Sequence, residues 1–112
     1  MNFFSKTQEA YQTVDCGELE QIIKSNGSSI GLIDVRTEGE HQSGHIPNSL
    51  NINVMSPDFV NKLEKLDKNK TYYVYCASGN RSKTACGQMA HMGFADINNV
   101  RMGMMGWSGE IE

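Results

Sequence analysis

Two stretches of this chain are apolar over consecutive positions: Ile30-Gly31-Leu32-Ile33-Asp34-Val35 and Thr71-Tyr72-Tyr73-Val74-Tyr75. A strand with one face in water alternates apolar and polar residues, whereas a strand covered on both faces need not. The β-branched and aromatic content of Thr71–Tyr75 reinforces its reading as a strand. The segments around these two runs carry helical signals. Asp15 suits an N-cap, and Glu18 completes a capping-box pattern ahead of the apolar face Leu19, Ile22 and Ile23, with Asn26-Gly27 as the stop. Ser56-Pro57-Asp58 predicts a second helix, with Ser56 as N-cap, Pro57 in its first position, and Phe59, Leu63 and Leu66 inward. A third runs from Asn80 or Arg81 to about Met92, with Ala85, Met89 and Met92 inward and Gly93 ending it. Leu50–Val54 alternates and reads as a shorter strand, Asp96–Val100 as a last one, and a Gly/Met segment with Trp107 follows. Strands and helices alternating at short intervals predict an α/β sandwich around a mainly parallel sheet.

At 112 residues the chain fits one domain, 1–112, with its core over about 13–109. A formal net charge of −3 with scattered basic residues argues against nucleic-acid binding. The start, MNFFSKTQEAYQTV, lacks a basic segment followed by an apolar one, and no window approaches a membrane span, so neither a leader nor a membrane partner is expected. Three cysteines without a CxxC spacing disfavour both a disulfide framework and a zinc site. No metal is expected, and a reducing, cytoplasmic setting fits best.

In open α/β sheets, ligands sit beyond the carboxyl ends of the strands, and Cys76 falls at such an end. Ala77-Ser78-Gly79-Asn80-Arg81-Ser82 then leads into a helix. A loop of this kind aims several backbone N–H groups at one point, and the helix dipole adds partial positive charge. Small residues and Gly79 let the backbone curl without steric cost. The nest binds an anion and lowers the pKa of a thiol at its centre. Arg81 would add a permanent charge and Lys83 could add another. The plainer alternative is a small buried hydrophobe at a strand end. Two chemistries use a thiolate so placed: sulfur transfer through a persulfide, and phosphate or arsenate chemistry. Cysteine phosphatases use C-x5-R, whereas Cys76 to Arg81 spans only six residues inclusive, a narrower bowl better suited to a persulfide sulfur. The loop also holds no aspartate to protonate a leaving alkoxide.

YVYCASGNRSKTA resembles the active-site loop of single-domain sulfurtransferases of the rhodanese family. Asp34-Val35-Arg36 followed by Glu40 is similar to the family's DVR…E segment, Gly44-His45-Ile46-Pro47-Asn48-Ser49 to its GHIPGA turn, and Met102–Trp107 to its closing G-G-x3-W signature. Together these span about residues 30 to 107. The resemblance implies a rhodanese-like three-layer fold, with a five-stranded, mostly parallel sheet and helices on both faces. It implies that Cys76 takes a sulfane sulfur from thiosulfate, a polysulfide or a protein persulfide. Amides from Ala77 to Ser82 would hold the persulfide, and the acceptor would be a thiol or cyanide. No cofactor is implied. The other readings are a phosphatase or arsenate reductase on the same fold, and a non-catalytic sulfur-relay module docking on a partner.

The chain departs from the pattern in places. Ala77 stands where a basic residue often follows the cysteine, which predicts weak use of dianionic thiosulfate. Asn48-Ser49 replaces Gly-Ala and Met102 replaces a common glycine; both changes read as packing variation, with Met102 at the pocket rim. Asp34 and Arg36 are expected to form a buried ion pair supporting the loop. His45 reads as a hydrogen-bonded structural histidine, and His41 and His91 as surface residues on helices. Cys86 reads as core rather than a resolving thiol, and Cys16, near a helix start, as somewhat acidic. Met89, Met92, Met102, Met104 and Met105 could form a soft apolar collar around the pocket; the plainer reading is core and rim packing, which is preferred for Met89.

Overall fold

The computed structural model describes residues 10–112. The first nine residues, part of the stretch on which the absence of a leader was argued, lie outside the described residues. The elements are β1 (Gln12–Val14), α1 (Cys16–Asn26), a 3-10 turn (Gly27–Ser29), β2 (Ile30–Asp34), α2 (Glu38–Ser43) and β3 (Leu50–Asn51). They continue through α3 (Phe59–Glu64), β4 (Thr71–Tyr75), α4 (Asn80–His91), β5 (Asp96–Val100) and α5 (Gly103–Gly106). The five strands form one sheet in the order β1-β5-β4-β2-β3, and every neighbouring pair is parallel.

The consecutive apolar runs have the predicted cause. On β4, Tyr72 and Val74, with Cys76 beyond them, pack into a cluster with Ile33, Val35, Phe59, Leu63, Ala85 and Met89, on the side of α3 and α4. Tyr73 and Tyr75 face the other way, against Leu19, Leu32 and Ile46, with Trp107 at the edge. Each fully buried aliphatic side chain here contributes about 1.5–3 kcal/mol. A central strand with a core on both faces can spare no position for a solvated side chain. The α4 stripe is shifted slightly from expectation: Ala85, Cys86 and Met89 are buried, while Met92 is only partly covered.

The capping box of α1 forms, with the Asp15 carboxylate accepting from the Glu18 amide at 2.8 Å and Glu18 accepting from the Asp15 amide at 3.1 Å. The second predicted helix starts later than expected. Ser56 is not its cap; its hydroxyl donates to the Asp58 carboxylate, and a turn closed by the Phe59 amide on the Ser56 carbonyl (3.1 Å) precedes α3. The strand expected over Leu50–Val54 is paired only at Leu50 and Asn51. The Asn51 side-chain amide donates to the Asp34 and Arg36 carbonyls at 3.0 and 2.9 Å, so a side chain satisfies part of the strand-end backbone.

Asn48 and Met102 both adopt positive φ, 68° and 69°. Their replacement of glycine is therefore a backbone matter, correcting the reading of packing variation. Asn tolerates the left-handed region, whereas Met there costs roughly 1–2 kcal/mol.

Candidate functional site

β4 carries the chain straight to Cys76, which has no exposed surface. The loop then turns through Gly79, whose φ of +102° favours glycine, and enters α4. This curl brings the Gly79 amide to 3.0 Å and the Ser82 amide to 3.4 Å from the Cys76 sulfur, both donating to it. The Ser82 hydroxyl lies 3.5 Å from the same atom. Burial alone would push the thiol up. The Ser82 hydroxyl and the amides of Ser82, Gly79 and Ser78 outweigh it, holding Cys76 below its ordinary value.

The other two thiols are of a different kind. Burial pushes Cys86 up to about 12. Cys16 is also raised, by burial and then by Asp15, which corrects the expectation of an acidic thiol at a helix start. It donates to the carbonyls of Gly103 and Arg101 at 3.3 and 3.6 Å and so serves as a buried tie to the last helix.

Arg81 faces Glu40. Its two terminal nitrogens donate to the two carboxylate oxygens at 2.8 and 2.9 Å. Glu40 is aimed by a capping box at the start of α2, its carboxylate accepting from the Thr37 amide at 3.0 Å. The Arg81 guanidinium, with help from that amide, holds the Glu40 carboxyl down at about 2. Ser78 and Asn80 are exposed on the outer side of the loop, and Ala77 is half-buried.

Beneath the loop, Asp34 and Arg36 form the expected buried pair, with Arg36 Nη2 at 2.8 Å from Asp34 Oδ2. Arg36 also donates to the Gly44 carbonyl at 2.7 Å. His41 does not sit on the surface as expected: its Nδ1 lies 2.8 Å from Asp34 Oδ2, because a buried carboxylate needs more than one partner. His45 is a structural histidine, its Nδ1 2.7 Å from the His41 carbonyl and its ring stacked on that of His41. Tyr75, fully buried and pushed up to about 12 by burial, accepts the Ile46 amide at 3.1 Å and shares a hydrogen bond with Ser49.

The sequence reading missed one set of backbone contacts and one buried side chain at the site. The amides of Met104 and Met105, at the start of α5, donate to the carbonyls of Cys76 and Ala77 at 2.9 and 3.0 Å. A Cβ on Gly103 would stand 2.1 Å from the Cys76 carbonyl oxygen, so only glycine permits this approach. The available signal was the glycine within the Met-rich segment, a mark of close backbone contact. Asn99, fully buried on β5, accepts a hydrogen bond from the Ser82 hydroxyl. Its only sequence signal is an Asn-Asn pair inside a strand.

The arrangement is thus a cradle for one buried sulfur: a cysteine at the end of the central strand, met by main-chain donors from the turn into a helix. Comparison with known proteins identifies the family and the fold. The family model described as Rhodanese-like domain matches residues 15–110. YtwF of Bacillus subtilis is 43% identical over 81 residues, covering 72% of this chain and 76% of that one. The thiosulfate sulfurtransferase GlpE of Pseudomonas savastanoi is 34% identical over 91 residues, covering 80% and 81%. A rhodanese-like domain protein from Staphylococcus aureus superposes with a TM-score of 0.79 at 30% identity, covering 90% of this chain and 96% of its own. A parallel sheet, a cysteine at the end of its middle strand and matches across most of the length converge: the chain belongs to the rhodanese-like domain family.

Proposed function

We propose that this protein is a sulfurtransferase that carries a sulfane sulfur on Cys76. The observation that supports this reading is the cradle itself: two amides and a hydroxyl converge on one buried sulfur whose thiol is held below its ordinary value. In the loading step the Cys76 thiolate attacks the outer sulfur of the donor. A new S–S bond forms at Cys76 as the donor's own S–S bond breaks, and the leaving group departs with that electron pair as sulfite, a shortened polysulfide or a thiolate. In unloading, an acceptor thiolate or cyanide attacks the outer sulfur and returns Cys76 as the thiolate. Amides from Ala77 to Ser82 stabilise each anionic state, and Arg81, locked to Glu40, fixes the start of α4 while contributing positive potential. Asp34 and Arg36 hold the floor of the site. The single domain suffices for this chemistry.

Ala77 leaves no cation directly after the nucleophile, so a polysulfide or a protein persulfide is the favoured donor over thiosulfate. The test is an intact-mass spectrum after incubation with thiosulfate and, separately, with polysulfide, alongside Cys76→Ser. A gain of one sulfur from polysulfide that is lost in the variant supports the reading. Sulfur transfer persisting in Cys76→Ser, or hydrolysis of an aryl phosphate with no sulfur loading, overturns it.

A further inference from the structure

A cavity of about 320 Å³ opens beside the start of α4, and Cys76 does not line it. Ser78, Gly79 and Asn80 line it together with Lys83, Asn99 and Arg101. No carboxylate lines it, and neither Lys83 nor Arg101 has an acidic partner among the described residues. Both cations are exposed, whereas Asn99 has no exposed surface. Its Oδ1 accepts from Ser82, but its Nδ2 has no hydrogen-bond partner among the described residues. A buried donor left unpaired costs about 1–3 kcal/mol. Here that donor belongs to a residue lining a cavity that also holds two cations and the amino end of a twelve-residue helix. Positive potential and an orphan donor together describe an acceptor-rich anion.

We propose that this cavity binds a small oxyanion of the sulfite or phosphate type, held by Lys83, Arg101 and the Asn99 amide, and that its occupancy slows loading of Cys76. The binding claim stands on the cavity alone; the effect on loading rests on the sulfur-carrier reading. The link is Ser82, whose hydroxyl donates to Asn99 Oδ1, has the Gly79 carbonyl as a second acceptor at 3.1 Å, and accepts from the Cys76 thiol. An anion on Nδ2 polarises the Asn99 amide and makes Oδ1 the stronger acceptor, which makes the Ser82 oxygen a better acceptor for the Cys76 S–H and favours the thiol over the thiolate. The like charge of the anion acts in the same direction.

The test uses sulfite and inorganic phosphate as probes, at low ionic strength because the two cations are exposed. Calorimetric titration of the Cys76→Ser protein measures binding without any sulfur transfer. Saturable binding is expected for at least one probe, weakened at least tenfold in Cys76→Ser carrying Lys83→Gln and Arg101→Gln. Tighter sulfite binding identifies the product of thiosulfate use as the occupant, and tighter phosphate binding identifies a phosphate. No binding of either probe, or equal binding after both substitutions, overturns the site. Second, saturating phosphate should slow iodoacetamide modification of Cys76 several-fold in the unmodified protein, with no such effect in Lys83→Gln/Arg101→Gln. An unchanged rate overturns the coupling. Because the calorimetry needs no thiol, its failure is separable from failure of the sulfurtransferase reading.

Discussion

Arg81 gives both of its terminal nitrogens to the carboxylate of Glu40, so the helix that begins in the cysteine loop is braced against the helix that follows β2. The brace joins segments forty-one positions apart in the chain. It also turns the loop's one arginine toward a carboxylate, leaving main-chain amides as the nearest donors to the sulfur.

The brace is pH-dependent in a definite direction. The Glu40 carboxyl is held down at about 2, against an ordinary value of 4.5. A depressed folded-state value gives stabilisation that is present above about 4.5 and lost as pH falls toward 2. The pair is partly exposed, so its contribution is about 0.5–1 kcal/mol. Glu40→Gln keeps the capping box and removes the charge. Urea denaturation should show it less stable by that amount at pH 7, and nearly equal to the parent at a pH near 2. Equal deficits at both pH values would assign the effect to something other than the ion pair.

Ser82→Ala removes the hydroxyl near the Cys76 sulfur and keeps the amide. A hydroxyl that stabilises the charged sulfur lowers the pKa of its thiol, so without it the pH midpoint for Cys76 reactivity should rise. Rates of sulfur loading against pH read this directly. A midpoint that does not move would mean that the main chain alone stabilises the thiolate.

Gly103→Ala places a methyl group 2.1 Å from the Cys76 carbonyl oxygen. The loop and α5 must then part, breaking the two bonds by which Met104 and Met105 hold the carbonyls of Cys76 and Ala77. A loss of about 2–4 kcal/mol is expected, with reduced sulfur loading even where the protein remains folded. Thermal melting and loading kinetics check the two effects separately, and an alanine variant as stable and as active as the parent would refute the close approach.

Met102, at φ 69°, is the reverse case. Replacing it with glycine relieves a left-handed backbone at a half-exposed position. Against this stands the extra entropy of glycine in the unfolded chain. The balance favours Met102→Gly by about 0.5–1 kcal/mol, which is a rise of a few degrees in Tm. A lower Tm would show that the methionine side chain contributes more packing than its exposure suggests.

Much of this was legible in the sequence, and the reasons differ by segment. The central strands were readable because burial on both faces writes itself as an unbroken apolar run. The placement of Cys76 between a strand end and a helix start was readable because strand, small residues, glycine and helix start follow one another within a few positions. β1 was not readable: three residues, two of them polar and exposed, gain their strand character from pairing with β5, a partner more than eighty positions away. The pairing of Arg81 with Glu40, and of His41 with Asp34, is equally non-local, and spacing along a chain says nothing of it. Met102 misled for another reason, since a glycine-like backbone was occupied by a residue that does not advertise it.

The groups nearest the Cys76 sulfur are backbone amides and one inward serine, while Ser78 and Asn80 point outward. Main-chain donors survive any substitution that preserves the turn. Evolution can therefore rewrite the outer rim while the ring of donors around the sulfur is inherited unchanged.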